Sequence, residues 1–379
     1  MEVKLESIPL DDEIEVSIFG PGYGESVVVH VGEGEWIIVD SCIDPIVKKP
    51  NPLTYLQQLG VNPAKAVKQI IATHWHDDHI RGLGKIVREC NSAEFVCSGA
   101  LTTKEFLTLV RAYGAHTMMK SSGVQEFYEI INSLKERKHI KNDLIPPKFA
   151  SADRCLWQRS QNDLEGRRCC AIYALSPSDT SILQSKLEIE KFIPHYGETK
   201  KRIALFPNYL AVVLWIKIGS IYILLGSDLE EFGNPRTGWS AIVTSKTRPK
   251  GRASLFKLPH HGSSTADHPK VWEEMLKANP IAVLTPFIKG KTLLPTKQDI
   301  ERIYARTDQA YATSTFMHKS KTKRPNIVTK QVKEIVRSIH TVPSSKGQIR
   351  IRIKIEDKNL PCKAELFGDA IPLNQFYHI

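Results

Sequence analysis

Residues 14–40 alternate apolar and polar positions in the manner of strands: EVSIFG, then SVVVHV, then EWIIVD. Pro52 to Leu59 reads as a short helix, and VKQIIATH as a buried strand. IRGLGKIVREC is helical, and residues 101–139 set Leu, Phe and Val at the spacing of one or two amphipathic helices. Residues 140–170 read as irregular. Around residue 172 strands resume as CAIYALSP, LAVVLWIKI, IYILLGSD, LFKLPHH and IAVLT, and a helix, TKQDIERIYART, follows. The tail closes on an alternating strand, QIRIRIKIED, with CKAELFG as its partner in a β-hairpin. GPGYGE, between the first two strands, contains GxGxG but leads into a strand rather than a helix. It is therefore read as a turn and not as a phosphate cradle. The most apolar stretch, YLAVVLWIKIGSIYILLG, is broken by Lys217 and by Gly219-Ser220, so it reads as a hairpin and not as a membrane span.

A chain of 379 residues can bury a core as one large domain or two. Its opening, MEVKLESIPLDDEIEV, is acidic and lacks the basic-then-apolar order of a secretory signal. Seven cysteines show no paired CxxC spacing, and neighbours such as Cys169 and Cys170 rarely bridge, so a reduced, cytoplasmic protein is expected. The formal charge of +11 is unevenly spread. From residue 241 onward 25 Lys and Arg face 11 Asp and Glu, a net of +14, which leaves −3 for the first 240 residues. Such asymmetry fits a C-terminal part that meets a polyanion, or simply a solvated surface.

Four apolar strands release an acid or imidazole at their C-terminal ends. IIVD ends in Asp40, IIATH in His74, ILLGSD in Asp228, and LFKLPHH in His260 and His261. Polar groups at buried strand ends cost several kcal/mol unless something satisfies them. A divalent metal does so, because imidazole and carboxylate are its natural ligands.

His74-x-His76-x-Asp78-His79 resembles the signature of the metallo-β-lactamase superfamily. The resemblance is tightest to the metallo-β-lactamase-like domain of the competence DNA-uptake channel protein and its free-standing relatives. The LKVPHHGS strand of those proteins stands here as Phe256-Lys257-Leu258-Pro259-His260-His261-Gly262-Ser263; their LSP turn and Asn-led strand match Leu175-Ser176-Pro177 and Asn208. The resemblance spans roughly residues 14 to 305. It implies an α/β fold, the four-layer αββα sandwich, for a hydrolase domain over residues 1–312, followed by a basic C-terminal extension over 313–379. It also implies that His74 and His76 hold one metal, that Asp78 and His79 hold the second, that Asp228 bridges both, and that Asp40 orients the loop. Of the adjacent pair, His261 is taken as a ligand, with His260 as the alternative. One or two Zn2+ ions are expected, with Mn2+ also compatible. In many superfamily hydrolases a further histidine completes the first metal's shell. The candidates here, His116, His139 and His195, follow no clear strand, and competence-type proteins commonly lack that ligand too. Leu294-Pro295 stands where those relatives often carry His-Pro.

Two metals about 3.5–4 Å apart can share a hydroxide and clamp the oxygens of an in-line displacement. Asp78 and Asp228 would accept hydrogen bonds from that hydroxide, and whichever of His260 and His261 is not a ligand would stabilise the transition state or protonate the leaving oxygen. Within the resemblance, His79 moves the reading from β-lactamases toward lactonase, thioesterase, glyoxalase or phosphodiesterase relatives, and the HHGS turn implies phosphodiesters. A phosphodiesterase or nuclease is therefore expected, with nucleic acid or another phosphodiester as its partner and no membrane. KTRPKGR (246–252), KSKTKR (319–324, with Lys319, Lys321, Lys323 and Arg324) and IRIRIK (349–354) are the expected contact segments. Ser263 is a candidate substrate contact, although Ser263, Ser264 and Thr265 also suit helix capping. Asp77, in the variable slot of the signature, should point away from the metals. Two alternatives stay open: a hydrolase of small esters, lactones or phosphoesters, and a non-catalytic binding module around a structural metal. Only 32 positions separate Asp228 from His260, too few for the inserted clamp domain of the superfamily's RNA-maturation nucleases.

Overall fold

The computed structural model describes residues 7–20, 24–44, 47–114, 123–141, 147–159, 169–193, 208–289, 292–315, 347–355 and 363–377. The N-terminal alternation becomes β1 (Glu13–Gly20), β2 (Ser26–His30) and β3 (Trp36–Val39). After them come α1 (Asn51–Gln58), α2 (Pro63–Ala66) and β4 (Val67–Ala72). One helical turn, α3 (Asp77–Ile80), leads to α4 (Leu83–Glu89), β5 (Glu94–Ser98), α5 (Lys104–Gly114), α6 (Gly123–Lys141) and β6 (Lys148–Ala150). The second half runs β7 (Arg154–Arg159), β8 (Cys170–Ala174), α7 (Asp179–Glu190), β9 (Leu214–Ile218), β10 (Ile221–Leu225), α8 (Gly238–Thr244), β11 (Ala253–Lys257) and β12 (Leu276–Leu284). A separate ribbon, β13 (Phe287–Lys289) and β14 (Thr292–Leu294), precedes α9 (Lys297–Tyr304) and β15 (Ala310–Ala312). The tail contributes β16 (Gly347–Lys354), β17 (Ala364–Gly368) and β18 (Ile371–Pro372).

Two eight-stranded sheets result, in the orders β17-β16-β1-β2-β3-β4-β5-β6 and β18-β15-β12-β11-β10-β9-β8-β7. Their facing surfaces interdigitate through Ile14, Val16, Val29, Ile37, Ile71, Ile172, Leu214, Ile223, Leu255 and Ile351. The outer face of the first sheet packs on Leu53, Ile86, Phe106 and Phe127 of the helices, and that of the second on Trp239, Ile242 and Ile303. Strands with apolar residues on both faces and helices with one apolar stripe thus stack in four layers, the expected αββα sandwich. The apolar stretch around Gly219-Ser220 is the β9–β10 hairpin, and no helix among the described residues is long and apolar enough to cross a membrane.

Two stretches differ from what their sequence pattern predicts. The stretch 140–170, expected to be irregular, contains β6 and β7, the outermost strands of the two sheets. An edge strand pairs on one side and keeps half its residues exposed, so its pattern lacks the apolar run of an inner strand. The IRIRIK segment is not a free basic surface. β16 lies between β1 and β17, where Arg350 is 0% exposed with Nε 2.5 Å from Glu365, and Arg352 pairs with Glu15 at 2.7 Å.

Parallel pairing positions the site. β3, β4 and β5 run parallel in one sheet, and β10, β11, β12 and β15 in the other. Parallel neighbours end at a common edge, so their C-terminal loops gather there.

A candidate metal centre

At that edge, Asp40 follows β3, and its position at φ 58° turns the carboxylate back over β4. It accepts from Thr73 N at 2.8 Å, Thr73 Oγ1 at 2.6 Å and His79 Nδ1 at 2.8 Å. The extended His74 and the turn of α3 bring His74, Asp78 and His79 together, all buried. Glu25, just before β2, closes the turn from the other side by donating its backbone N–H to Asp78 O at 2.8 Å. A side chain at Gly24 (φ 98°) would meet that same carbonyl at 2.7 Å, which accounts for a glycine there.

From the second sheet, Asp228 follows β10 and His261 follows β11. Asp228 Oδ2 lies 3.2 Å from His79 Nε2, 3.6 Å from His261 Nε2 and 3.9 Å from His74 Nε2; His261 Nε2 lies 3.5 Å from Asp78 Oδ2. Asp78, His79, Asp228 and His261 form one buried ligand set, and Asp40, His74 and His79 a second overlapping one. Two ligands each about 2.1 Å from a tetrahedral cation stand roughly 3.4 Å apart, which matches these separations. The outer ring nitrogens are occupied: His79 Nδ1 by Asp40, His261 Nδ1 by Thr285 O at 2.9 Å, and His74 Nδ1 by Thr73 Oγ1 at 3.0 Å. That pattern fixes the rings with Nε2 turned inward, the arrangement in which histidines bind metals. His74 Nε2 and His79 Nε2 are buried without hydrogen-bond partners among the described residues, and a divalent cation would satisfy them. The residues fit the group.

Without a cation the cluster is an array of opposed charges. Burial opposes ionisation of His79 and His261, but Asp228, Glu25 and, for His261, Asp78 outweigh it and raise both pKa values, His79 well above 6.5. Burial likewise opposes ionisation of Asp78 and Asp228, yet the neighbouring imidazoles hold both carboxyls below the usual range. His74 is driven well below 6.5 by burial and then by His79 and His76. Burial raises Asp40, partly offset by His79 and Thr73.

The remaining expected residues divide. His76 stands edge-on to His74, ring centroids 4.7 Å apart, but is half-buried and outside both ligand sets, as the N-cap of α3. Asp77 pairs outward with Arg81 at 3.7 Å. His260 is also outside the sets, with Nδ1 3.2 Å from Thr265 Oγ1 and 3.4 Å from Glu230 Oε2; Asn208 Nδ2 donates to the other Glu230 oxygen at 3.0 Å. Ser263 caps the turn Ser264–Ala266 by accepting from Thr265 N. Lys319, Lys321, Lys323 and Arg324, like His116 and His195, lie outside the described residues, as does the side chain of His139. Glu25, Lys257, Thr285 and Glu230 also line the site, although no motif assigns them a role. Lys257 was legible as a lone charge at the end of the apolar strand ASLFK, and Glu25 as the acid closing GPGYGE.

A profile of the Metallo-beta-lactamase superfamily matches residues 19–143. No curated protein matches the chain. Among solved structures, the chain is similar to human tRNase Z, short form, at 10% identity, covering 78% of this chain and 90% of that one with a TM-score of 0.38. It is similar to the metallo-beta-lactamase fold protein YhfI from Bacillus subtilis at 11% identity, covering 78% and 95%, TM-score 0.35. Zn(2+)-bound PqqB from Methylobacterium extorquens is 11% identical over 64% of this chain and 89% of that one, TM-score 0.27. The matched segment holds the whole turn from His74 to His79, and the chain carries a metallo-beta-lactamase superfamily domain.

Proposed function

We propose that the protein is a metal-dependent hydrolase acting on phosphodiesters, nucleic acid foremost. The observation that carries the hydrolytic reading is the convergence of three Nε2 atoms on one oxygen of Asp228 at a buried strand edge. His74, His76, Asp78, His79, Asp228 and His261 would hold one or two divalent cations, zinc or manganese. When bound, these supply Lewis acidity toward a phosphoryl oxygen and an activated water at neutral pH. Asp78 and Asp228, held ionised by their imidazole neighbours, serve as acceptors that orient the attacking water. His260, outside the ligand set, would hold the proton that the departing oxygen takes, with Glu230 fixing its ring and Asn208 fixing Glu230. Ser263 shapes the turn beneath His260 through its cap, and a role toward substrate would run through that turn.

The phosphodiester reading draws on the +14 balance beyond residue 240 and on Lys246, Lys250 and Arg252, all exposed. The second reading, a hydrolase of compact esters, lactones or phosphoesters, gains from Arg350 and Arg352, whose charges are spent inside the first sheet. The deciding experiment pairs metal analysis with cleavage of single-stranded DNA, duplex DNA, RNA and bis-p-nitrophenyl phosphate. Cleavage of a polymer with bound zinc or manganese is expected. Turnover of small esters alone would move the assignment to the second reading, and bound metal without any turnover would support a binding module.

A further inference from the structure

Behind the ligand set lies an ion pair that the proposed chemistry does not use. Lys257 is 1% exposed at the end of β11, and Glu25 is 2% exposed just before β2. The Lys257 ammonium contacts Glu25 Oε1 and donates to Ser227 O at 3.0 Å, while Thr285 Oγ1 donates to Glu25 Oε2. The pair therefore ties the first sheet's loop to the second sheet's strand. Burying opposite charges costs desolvation that their attraction only partly offsets, so cohesion between the sheets is a poor reason for it. Its neighbours point elsewhere. Lys257 Nζ stands 4.0 Å from Asp228 Oδ1, the oxygen without a hydrogen-bond partner, while Oδ2 faces the three imidazoles. Glu25 stands 3.7 Å from His79 Nδ1 and 3.9 Å from His261 Nδ1.

We infer that Lys257, held by Glu25, is a positioning residue that keeps Asp228 single-ended, so that Oδ2 alone serves the cations and a second cation is retained. The inference rests on the metal-centre reading above. A carboxylate free at both oxygens can chelate one cation with both, which leaves the other with His74 and His76 alone. The ammonium facing Oδ1 opposes that rotation. Glu25, Asp40, Asp78 and Asp228 against Lys257 leave a formal −3 around the centre, which divalent cations offset.

The double variant E25Q/K257M keeps that formal −3, because one charge of each sign is removed. A change in metal binding then reports on the orientation of Asp228 and not on net charge. Full-length metal-free wild type and variant are loaded with zinc alone, dialysed, and compared by elemental analysis and chelator competition. Loading with cobalt alone gives the visible absorption spectrum, which follows carboxylate denticity. Expected are two zinc per chain in wild type and one in E25Q/K257M, with the second site weakened tenfold or more and altered cobalt bands. Thr285→Val removes the hydroxyl from Glu25 and from its 3.3 Å approach to His261 Nδ1, while the Thr285 carbonyl still holds that ring at 2.9 Å. It should weaken the second site severalfold and supplies the test if the double variant does not fold. Two equivalents with unchanged cobalt bands in E25Q/K257M, or an unweakened second site in Thr285→Val, would overturn the role of Lys257 and leave the centre intact. One equivalent in wild type would overturn it also. No metal in wild type would overturn the centre itself, and this inference with it.

Discussion

The two turns that meet at the cluster deliver their side chains by different means. The first, residues 73–79 after β4, uses spacing: one extended step and one helical turn carry His74 and His79 to the same point. The second, after β11, presents two identical neighbours and separates them by backbone alone. His260 (φ 45°) and His261 (φ 56°) both take left-handed conformations, so one ring turns inward to Asp228 and the other outward to Glu230. Such residues cost about 1–2 kcal/mol each. The conformation is held by His260 N on Ser227 O at 3.0 Å and by Arg302 on Gly262 O at 2.6 Å. Strain of this kind gathers where a side chain must be aimed. Spacing can be read from a sequence; aim cannot.

The sharpest break in the comparison is between the two adjacent histidines. His261→Ala and Asp228→Ala should each lower hydrolysis more than about 10²-fold, beyond the loss typical of an outer-shell partner, and lower zinc content in a chain that still folds. Activity within threefold of wild type for Asp228→Ala would refute the bridging role. His260→Ala should keep full zinc content and lose about 10²-fold in rate, more with poor leaving groups than with good ones. Lost zinc there would erase the division between the two rings.

Protons sharpen the same comparison. His79 and His261 carry raised pKa values in the metal-free protein, so each must release a proton before Nε2 can bind a cation. Zinc affinity should therefore climb as pH rises through those values, by up to about tenfold per unit for each proton released. In the metal-free chain the two imidazoliums add stability that is fully present below 6.5 and lost as pH rises through the raised values. Calorimetry in buffers of different ionisation enthalpy counts the protons, and an absence of release would contradict the charge array.

Outside both turns, replacing Lys319, Lys321, Lys323 and Arg324 with alanine should flatten the salt dependence of nucleic-acid binding, by about 0.7–0.9 in log–log slope for each phosphate no longer neutralised. Turnover of a small phosphodiester should survive. A flat salt response in wild type and variant alike would end the nucleic-acid reading. The smallest effect is on stability, where His260→Gly relieves one left-handed residue at the cost of unfolded-state entropy. A rise of roughly one degree in Tm is expected, read by thermal unfolding.

The inner strands and the hairpin at Gly219-Ser220 were legible because inner strands carry uninterrupted apolar runs, whereas the four layers followed from the family resemblance. β6 and β7 escaped notice because edge strands do not. In the site, His74, Asp78, His79 and Asp228 announced themselves through motif and strand end. Glu25 and Lys257 stood out only as isolated charges, and their pairing was not legible, since it depends on two sheets facing each other across more than two hundred residues. The basic surface expected at IRIRIK failed for a related reason: alternation shows that Arg350 shares a face with Arg352, not that Glu365 and Glu15 wait on the neighbouring strands.

The place of β16 beside β1 also sets a timetable. Ile14 pairs with Ile353, 339 positions later, so the edge of β1 cannot be covered until almost the whole described chain has been made. At roughly 5–20 residues per second, synthesis of that interval takes on the order of 17 to 70 seconds. Throughout it the nascent first sheet presents an apolar strand with open N–H and C=O groups, the kind of edge on which chains join one another. Cells making this protein have reason to shield its N-terminal half before its last strands leave the ribosome.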